Sequence, residues 1–421
     1  MANVLVLWRK IMKDKKKQDL SQAMLFIILL GIVSLFSDMT HEGASSIRGA
    51  YLALIGASAA TIGFISGLGE LIGYSLRFVF GLLTDKKKNY WTMTIIGYII
   101  DVFAVPALAF VHKDGWILAC ALLILERMGK AIKKPAKSTI VSFAASQEGA
   151  GKSFAIQEVL DQIGAFIGPV ILYLVMLFKT GDTYSVYALC FAVLTIPAVL
   201  TIVFLLIAKK KFPNPEQFEP KPEKIEKFRM TPSFIIYIIA ISLFAFGFID
   251  FSLITMHVSK GGLISDNRLP LLYAGAMLVD AFSALLFGWM YDKKGISALI
   301  ISTLVSAAFS LFIFGFRSVF MTIIGVLLWG IGMGAQESIL KAVVSKMVPK
   351  QSRAAGYGIF EFFFGVFWFA GSWLLGALYD ISFRALIITS ITAQLASVPL
   401  YVISSRKMAY EASLLKKQVG D

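Results

Sequence analysis

Gly81-Leu82-Leu83-Thr84-Asp85-Lys86-Lys87-Lys88 closes one long apolar stretch of the chain, and Gly288-Trp289-Met290-Tyr291-Asp292-Lys293-Lys294-Gly295 closes another. Both contain the word G-x-x-x-D-K-K, and each ends the second apolar stretch of its half of the chain. Outward from these copies, the apolar residues come in runs of about twenty. At ~1.5 Å per residue such a run crosses roughly 30 Å of hydrocarbon. The runs lack the two-residue alternation of lipid-facing barrel strands. Of 421 residues 57% are hydrophobic and 16% charged, with a mean hydropathy of +0.77. A soluble chain of this length needs more polar surface. With lipid as the solvent, helices satisfy the backbone internally, so an all-α membrane protein is expected.

Twelve spans are read, at 20–44, 57–83, 90–111, 115–142, 152–178, 184–208, 232–258, 269–290, 296–315, 319–345, 354–379 and 382–405. The stretch 209–231 holds Pro213, Pro215, Pro220 and Pro222 among charges and reads as a solvated linker. This divides the chain into a tail at 1–19, six helices within 20–208, the linker, six helices within 232–405 and a second tail at 406–421. Arg48, Lys113, Lys179, Lys260, Arg268, Arg317 and Arg384 fall in odd-numbered gaps. The termini and even-numbered gaps carry a roughly fourfold excess of basic residues, which places them in the cytoplasm. An inner (cell) membrane protein with both termini cytoplasmic is expected. The formal charge of +14 is spread over short loops, which argues against a nucleic-acid partner. Cys120 and Cys190 lie inside apolar runs, so no disulfide framework is indicated. No cleavable leader is read, and the first span is expected to act as its own insertion signal.

The repeated word resembles the loop motif of the major facilitator superfamily, G-x-x-x-D-[RK]-x-G-[RK]-[RK]. That resemblance implies two pseudo-symmetric six-helix bundles with a substrate between them, as inverted or parallel repeats generally place it. It also implies close helix packing at Gly81 and Gly288, and a cytoplasmic latch through Asp85 with Lys86 and Asp292 with Lys293. Lys88 replaces the motif's Gly in the first copy, and the second lacks the trailing basic pair. Gly164-Ala165-Phe166-Ile167-Gly168-Pro169 is similar to the G-x-x-x-G-P core of the family's antiporter motif, which implies export. Leu172 and Tyr173 stand where the full motif has flanking glycines, and small-xxx-small packing serves any membrane helix. Glu126-Arg127-Met128-Gly129-Lys130-Ala131-Ile132-Lys133-Lys134-Pro135-Ala136-Lys137 resembles the fourth-span signature of a prokaryotic branch of undefined substrate. The resemblance gives Arg127 a part in proton coupling.

Ionisable residues inside spans are costly and face cavities or partners. Asp38 and Glu42 are four apart on one helical face, next to His41. They read either as a proton-coupling pair, since close carboxylates raise one another's proton affinity, or as a wet outer vestibule running on to Arg48. Glu70, Tyr74 and Arg77 share a face, and Asp38 or Asp101 is available to Arg77. A plain interhelical salt bridge is the alternative there. Glu126, Lys130, Lys133 and Lys137 form one stripe facing acids such as Glu158 and Asp161 in the fifth span. The stripe suits an anionic substrate, unless its lysines snorkel to the interface. Asp250 and Glu361 have no neighbour in sequence and read as proton or cation sites. His257, near an outer end, reads as a wetted histidine.

A secondary transporter moving a small charged or amphipathic organic solute is the leading expectation, with protons coupled to export. A proton-coupled uptake permease is the runner-up, and a membrane-embedded lipid-modifying enzyme is the alternative from another class. His41, His112 and His257 are scattered, and no H-E-x-x-H, G-x-S-x-G or Gly-rich phosphate loop appears, so no enzyme, metal or cofactor is expected. The partners expected are the bilayer, the solute and protons, with the protein a monomer.

Overall fold

The computed structural model describes residues 21–148, 150–179, 181–218, 230–348 and 353–419. Within them the chain forms twelve helical spans. The first six are α1 (Gln22–Leu54), α2 (Ala59–Lys87), α3 (Tyr90–Ala104, continued by a 3-10 turn at Pro106–Phe110), α4 (Trp116–Glu148), α5 (Ala150–Phe178) and α6 (Thr183–Val193 and Thr195–Lys211). The second six are α7 (Pro232–Gly247 and Phe251–Gly261), α8 (Leu269–Lys294), α9 (Ser297–Ser306 and Phe309–Phe314), α10 (Val319–Met347), α11 (Arg353–Ile381) and α12 (Phe383–Val419). Eleven are long and apolar enough to cross a membrane on their own composition. The exception is α4, whose middle holds Glu126, Arg127, Lys130, Lys133, Lys134 and Lys137.

The two sets of six pack alike. Helix α1 lies on α5 and α6 as α7 lies on α11 and α12, and α2 on α4 as α8 on α10. The sets meet along α1–α7, α2–α11 and α5–α8, so the same symmetry relates the two flanks of the seam. Large apolar side chains such as Phe110, Ile117, Phe282, Leu285 and Phe320 are exposed on the outside of the bundle, the surface that lipid covers.

Two departures from the expected spans bear on the site. Helix α1 runs to Leu54 instead of ending near residue 44, because its polar stretch has partners: Thr40, His41, Ser46 and Arg48 are all buried. Asp38 and Glu42 therefore sit midway along a helix and not at its mouth, and Arg48 leaves the loops altogether. Helix α7 breaks at Phe248–Asp250, where lipid would leave carbonyls unsatisfied. Trp329 Nε1 donates to Ile249 O at 2.9 Å, Ser390 Oγ to Gly247 O at 2.8 Å, and Gln394 Nε2 to the same oxygen at 3.2 Å. Asp250 then caps the second half of α7 through Ser252 N at 2.8 Å.

The linker begins docked: Phe212 is buried and its carbonyl accepts from Trp91 Nε1 at 3.0 Å. The rest of the linker and the tail 1–19 lie largely outside the described residues, whereas the tail expected from 406 continues α12 as far as Val419.

Candidate functional site

Ionisable side chains of α1 to α4 form a buried network. Helices α3 and α4 cross where Gly97 and Gly129 each face the partner's backbone. A Cβ on Gly129 would lie 2.5 Å from Asp101 N, and one on Gly97 2.5 Å from Lys133 N. That crossing sets Lys133 Nζ on Asp101, and the ammonium also donates to Ser37 Oγ at 2.9 Å and lies 4.0 Å over the Tyr98 ring. His41 bridges two carboxylates, with Nε2 2.9 Å from Asp101 Oδ2 and Nδ1 3.1 Å from Glu126 Oε1. Glu126 also meets Lys130 Nζ at 3.0 Å and the Arg48 guanidinium at 3.9 Å. Arg48 continues across the seam, where its Nε donates to Ser252 Oγ at 3.1 Å. His41, Asp101 and Glu126 hold their ligand atoms within 4.8 Å of one another, the spacing of a metal set. Lys133 and Lys130 already serve as the cations of these carboxylates, while Asp101 Oδ1 and His41 Nδ1 are buried without a hydrogen bond.

Two lysines of the fourth-span stripe are therefore neutralised, Lys130 by Glu126 and Lys133 by Asp101, while Lys137 donates to the neutral Ser34 Oγ. Arg127 pairs with Glu70 at 2.8 Å. Arg77 pairs with Glu361 at 3.0 Å, across the seam, instead of with Asp38 or Asp101, and lies over the Tyr74 ring. Glu361 is thus no isolated acid. Asp250 lines a small recess with Gly63, Ser66 and Ser372. His257 is packed among Phe314, Tyr379 and Phe383, with Nδ1 3.1 Å from Tyr379 Oη, which differs from the wetted histidine read in sequence.

Acids of a second group gather at mid-span where α1, α5 and α8 meet. Asp38 lies within electrostatic reach of Asp161 and Glu42. Glu42 accepts from Tyr273 Oη at 2.5 Å, and Gln162 Nε2 donates to both Glu158 and Asp280 at 3.2 Å. Asp280 is 2% exposed. Among the described residues no lysine or arginine is within ion-pair distance of Asp38, Glu42, Glu158, Asp161 or Asp280. Tyr273 carried no signal in sequence, because its contact with Glu42 depends on how α8 meets α1.

The motif glycines divide into two kinds. Gly164 and Gly168 seat α5 directly on the α1 backbone at Leu35 and Met39, and a Cβ on Gly164 would lie 3.2 Å from the Asp38 Cβ. At Gly81 and Gly288 an added Cβ would meet Pro135 on α4 at 3.7 Å and Ser338 on α10 at 3.8 Å. These are ordinary contacts at matching places in the two halves, so close approach is not what glycine provides there. Pro169 lies inside an uninterrupted α5. Lys86, Asp292 and Lys293 are exposed, Lys293 lies 4.0 Å over the Trp289 ring, and the side chain of Asp85 is outside the described residues.

The family model of the major facilitator superfamily matches residues 27–263 and 256–414. The chain belongs to that superfamily. An uncharacterized protein of Mycobacterium tuberculosis is 37% identical over 391 residues, covering 91% of this chain and 94% of the relative. An uncharacterized MFS-type transporter of Methanocaldococcus jannaschii is 26% identical over 362 residues, 85% of this chain and 89% of that one. Among solved structures, the bacterial homologue of the human lysosomal transporter Spinster, in an inward-facing and occupied conformation, superposes with a TM-score of 0.68. That match has 15% identity and covers 94% of this chain and 98% of that one. The chain is accordingly a multi-pass membrane transporter of the major facilitator fold and not an enzyme, and the lipid-modifying alternative is set aside.

Proposed function

We propose that this superfamily member is a proton-coupled exporter of a small organic solute, working by alternating access between bodies 20–208 and 232–405. The observation that carries the reading is the group of unpaired acids midway along the seam: Asp38, Glu42, Glu158, Asp161 and Asp280. A carboxylate in a poor dielectric with no basic partner is stabilised by taking a proton, and releases it when the cavity turns to water. Export is supported by the antiporter-like glycines, since Gly164 and Gly168 ride on α1 beside Asp38. Sliding α5 on α1 moves Asp161 relative to Asp38, which ties proton occupancy to the rocking of the helices.

The end of the bundle away from the termini is held across the seam by Arg48 on Ser252, Ala60 N on Asp380 Oδ2 at 3.3 Å and Tyr187 Oη on Asp266 Oδ2 at 2.9 Å. With basic loops inside, that closed end faces outward in the cell membrane, and Glu158 and Glu337 are exposed. The Glu126–His41–Asp101 network and the Arg127–Glu70 pair are read as holding the first body together, and Arg77–Glu361 as tying the two bodies toward the cytoplasmic ends of α2 and α11. The loop-motif residues Asp85, Lys86, Asp292 and Lys293 are read as a latch of the cytoplasmic ends. The working unit is a monomer in contact with lipid.

The test is proton flux in proteoliposomes containing a trapped pH dye, challenged with a panel of organic solutes under an imposed gradient. Solute-evoked flux is expected, and its loss in Asp38→Asn, Glu42→Gln and Asp161→Asn. Solute movement indifferent to a protonophore removes the proton from the mechanism. Unchanged coupling in all three variants removes these acids.

A further inference from the structure

We propose that the transported solute is an amphipathic organic cation, held by carboxylates of α1, α5 and α8 against an aromatic wall at the seam. This rests on the transporter reading above and gives it a charge sign.

Among the described residues, five basic side chains of α1, α2 and α4 are already committed. Arg77, Arg127, Lys130 and Lys133 each hold a carboxylate, and Arg48 lies between Glu126 and Ser252. The basic groups within reach of Asp38 are Lys133 and Lys137, and both are bonded elsewhere, Lys133 to Asp101 and Ser37, Lys137 to Ser34. Lys130 and Lys133 of the stripe that in sequence suits an anion are therefore internal counterions, and Lys137 is bonded to a hydroxyl.

Among the described residues, what remains is a group of acids with only neutral donors on them. Glu42 has Tyr273, while Glu158 and Asp280 share Gln162. Asp280 is the decisive member: it is 2% exposed, its Oδ1 is buried with no partner, and the charged groups acting on it most strongly are Glu337, Glu158 and Glu42. Asp161 Oδ1 is likewise buried without a partner. A buried carboxylate oxygen lacking both donor and counterion is costly unless something else supplies them. A cation brought to this oxygen supplies both, whereas an anion would be repelled by the same group.

The buried rings packed beside these acids set the rest of the chemistry. The Tyr273 ring, whose hydroxyl reaches Glu42, packs on Phe251 at 4.5 Å between centroids, and Phe251 on Trp329 at 4.9 Å. A positive charge bearing apolar groups gains from carboxylate and aromatic face together. A small inorganic cation would leave that wall unused.

Two probes of equal shape and opposite charge separate the possibilities. The purified full-length protein is heated with tetraphenylphosphonium, with ethidium, or with tetraphenylborate, since a ligand of the folded state raises the melting temperature by mass action. Both cations are expected to stabilise and tetraphenylborate is not. Asp280→Asn and Glu42→Gln are each expected to weaken tetraphenylphosphonium about tenfold, which is about 1.4 kcal/mol. Asp161→Asn is the replacement should either variant lose its monodisperse elution. Stabilisation by tetraphenylborate in preference to the cations overturns the proposal. So does the absence of a shift with either cation, or wild-type affinity in the monodisperse variants. Cation binding without proton flux would count instead against the coupled transport reading, so the two failures are distinct.

Discussion

Replacing Asp101 by Asn tests the buried network most directly. Asp101 is 0% exposed and Lys133 9%. The carboxylate receives both Lys133 Nζ and, at 2.9 Å, His41 Nε2. Removing one partner of a buried ion pair generally costs about 3–5 kcal/mol, because a charge is left uncompensated. Lys133 keeps Ser37 and lies in reach of Asp38, so the lower figure, about 3 kcal/mol, is expected for Asp101→Asn. Lys133→Met leaves Asp101 with His41 and should cost less, about 2 kcal/mol. The double variant removes both charges together, and its loss should fall short of the sum by at least about 1 kcal/mol, within the range seen for residues in contact. The assay is equilibrium unfolding of the four proteins in a mixed micelle titrated with dodecyl sulfate. Additivity of the two single losses within about 0.3–0.5 kcal/mol would refute the claim that these two charges neutralise each other.

Three further outcomes follow from geometry already given. Gly168→Ala drives a Cβ into the Met39 carbonyl oxygen and should cost about 1–3 kcal/mol by overpacking. Gly81→Ala, with 3.7 Å to Pro135, should be neutral or gain up to roughly 1 kcal/mol in helix propensity, and melting temperatures of the pair decide it. Glu361→Gln takes the counterion from Arg77, whose side chain is 17% exposed. About 1.5 kcal/mol of seam stability should go with it, seen as broadened spin-label distances between the cytoplasmic ends of α2 and α11. Unchanged distributions would show that the pair does not brace the seam. Lys86→Cys should react with an impermeant maleimide only after cells are permeabilised, and Asp114→Cys in intact cells. The reverse pattern would invert the topology.

The bundle could be read from the chain because its causes are local. Run length gives the spans, and the twice-used G-x-x-x-D-K-K word gives the repeat. Even α4, too charged to pass on hydropathy, is visible from the four-residue spacing of its stripe. What sequence could not supply is partnership across distance. Arg77 and Glu361 are separated by 284 positions, and nothing near either names the other. The polar run from Thr40 to Arg48 reads as a loop until α3, α4 and α7 bring Asp101, Glu126 and Ser252 to it, which is why α1 was expected to stop short. For the same reason the lysines of α4 suggested an anion site: their neutralisation comes from α3 for Lys133, through a glycine crossing that has no marker in the stripe itself.

The charge load of α4 also bears on biogenesis. A lysine or arginine at the centre of a lone helix costs about 2.5–3.5 kcal/mol to partition from the translocon into lipid, and α4 carries Arg127, Lys130 and Lys133 near its middle. Such a segment stalls at the lateral gate unless a counter-charge is waiting. Asp101 is made first, on the preceding helix, so the two segments are suited to leave the channel as a single hairpin, with the ion pair formed before lipid is met. A chain truncated after α3 would then leave Asp101 with His41 alone, and without its lysine.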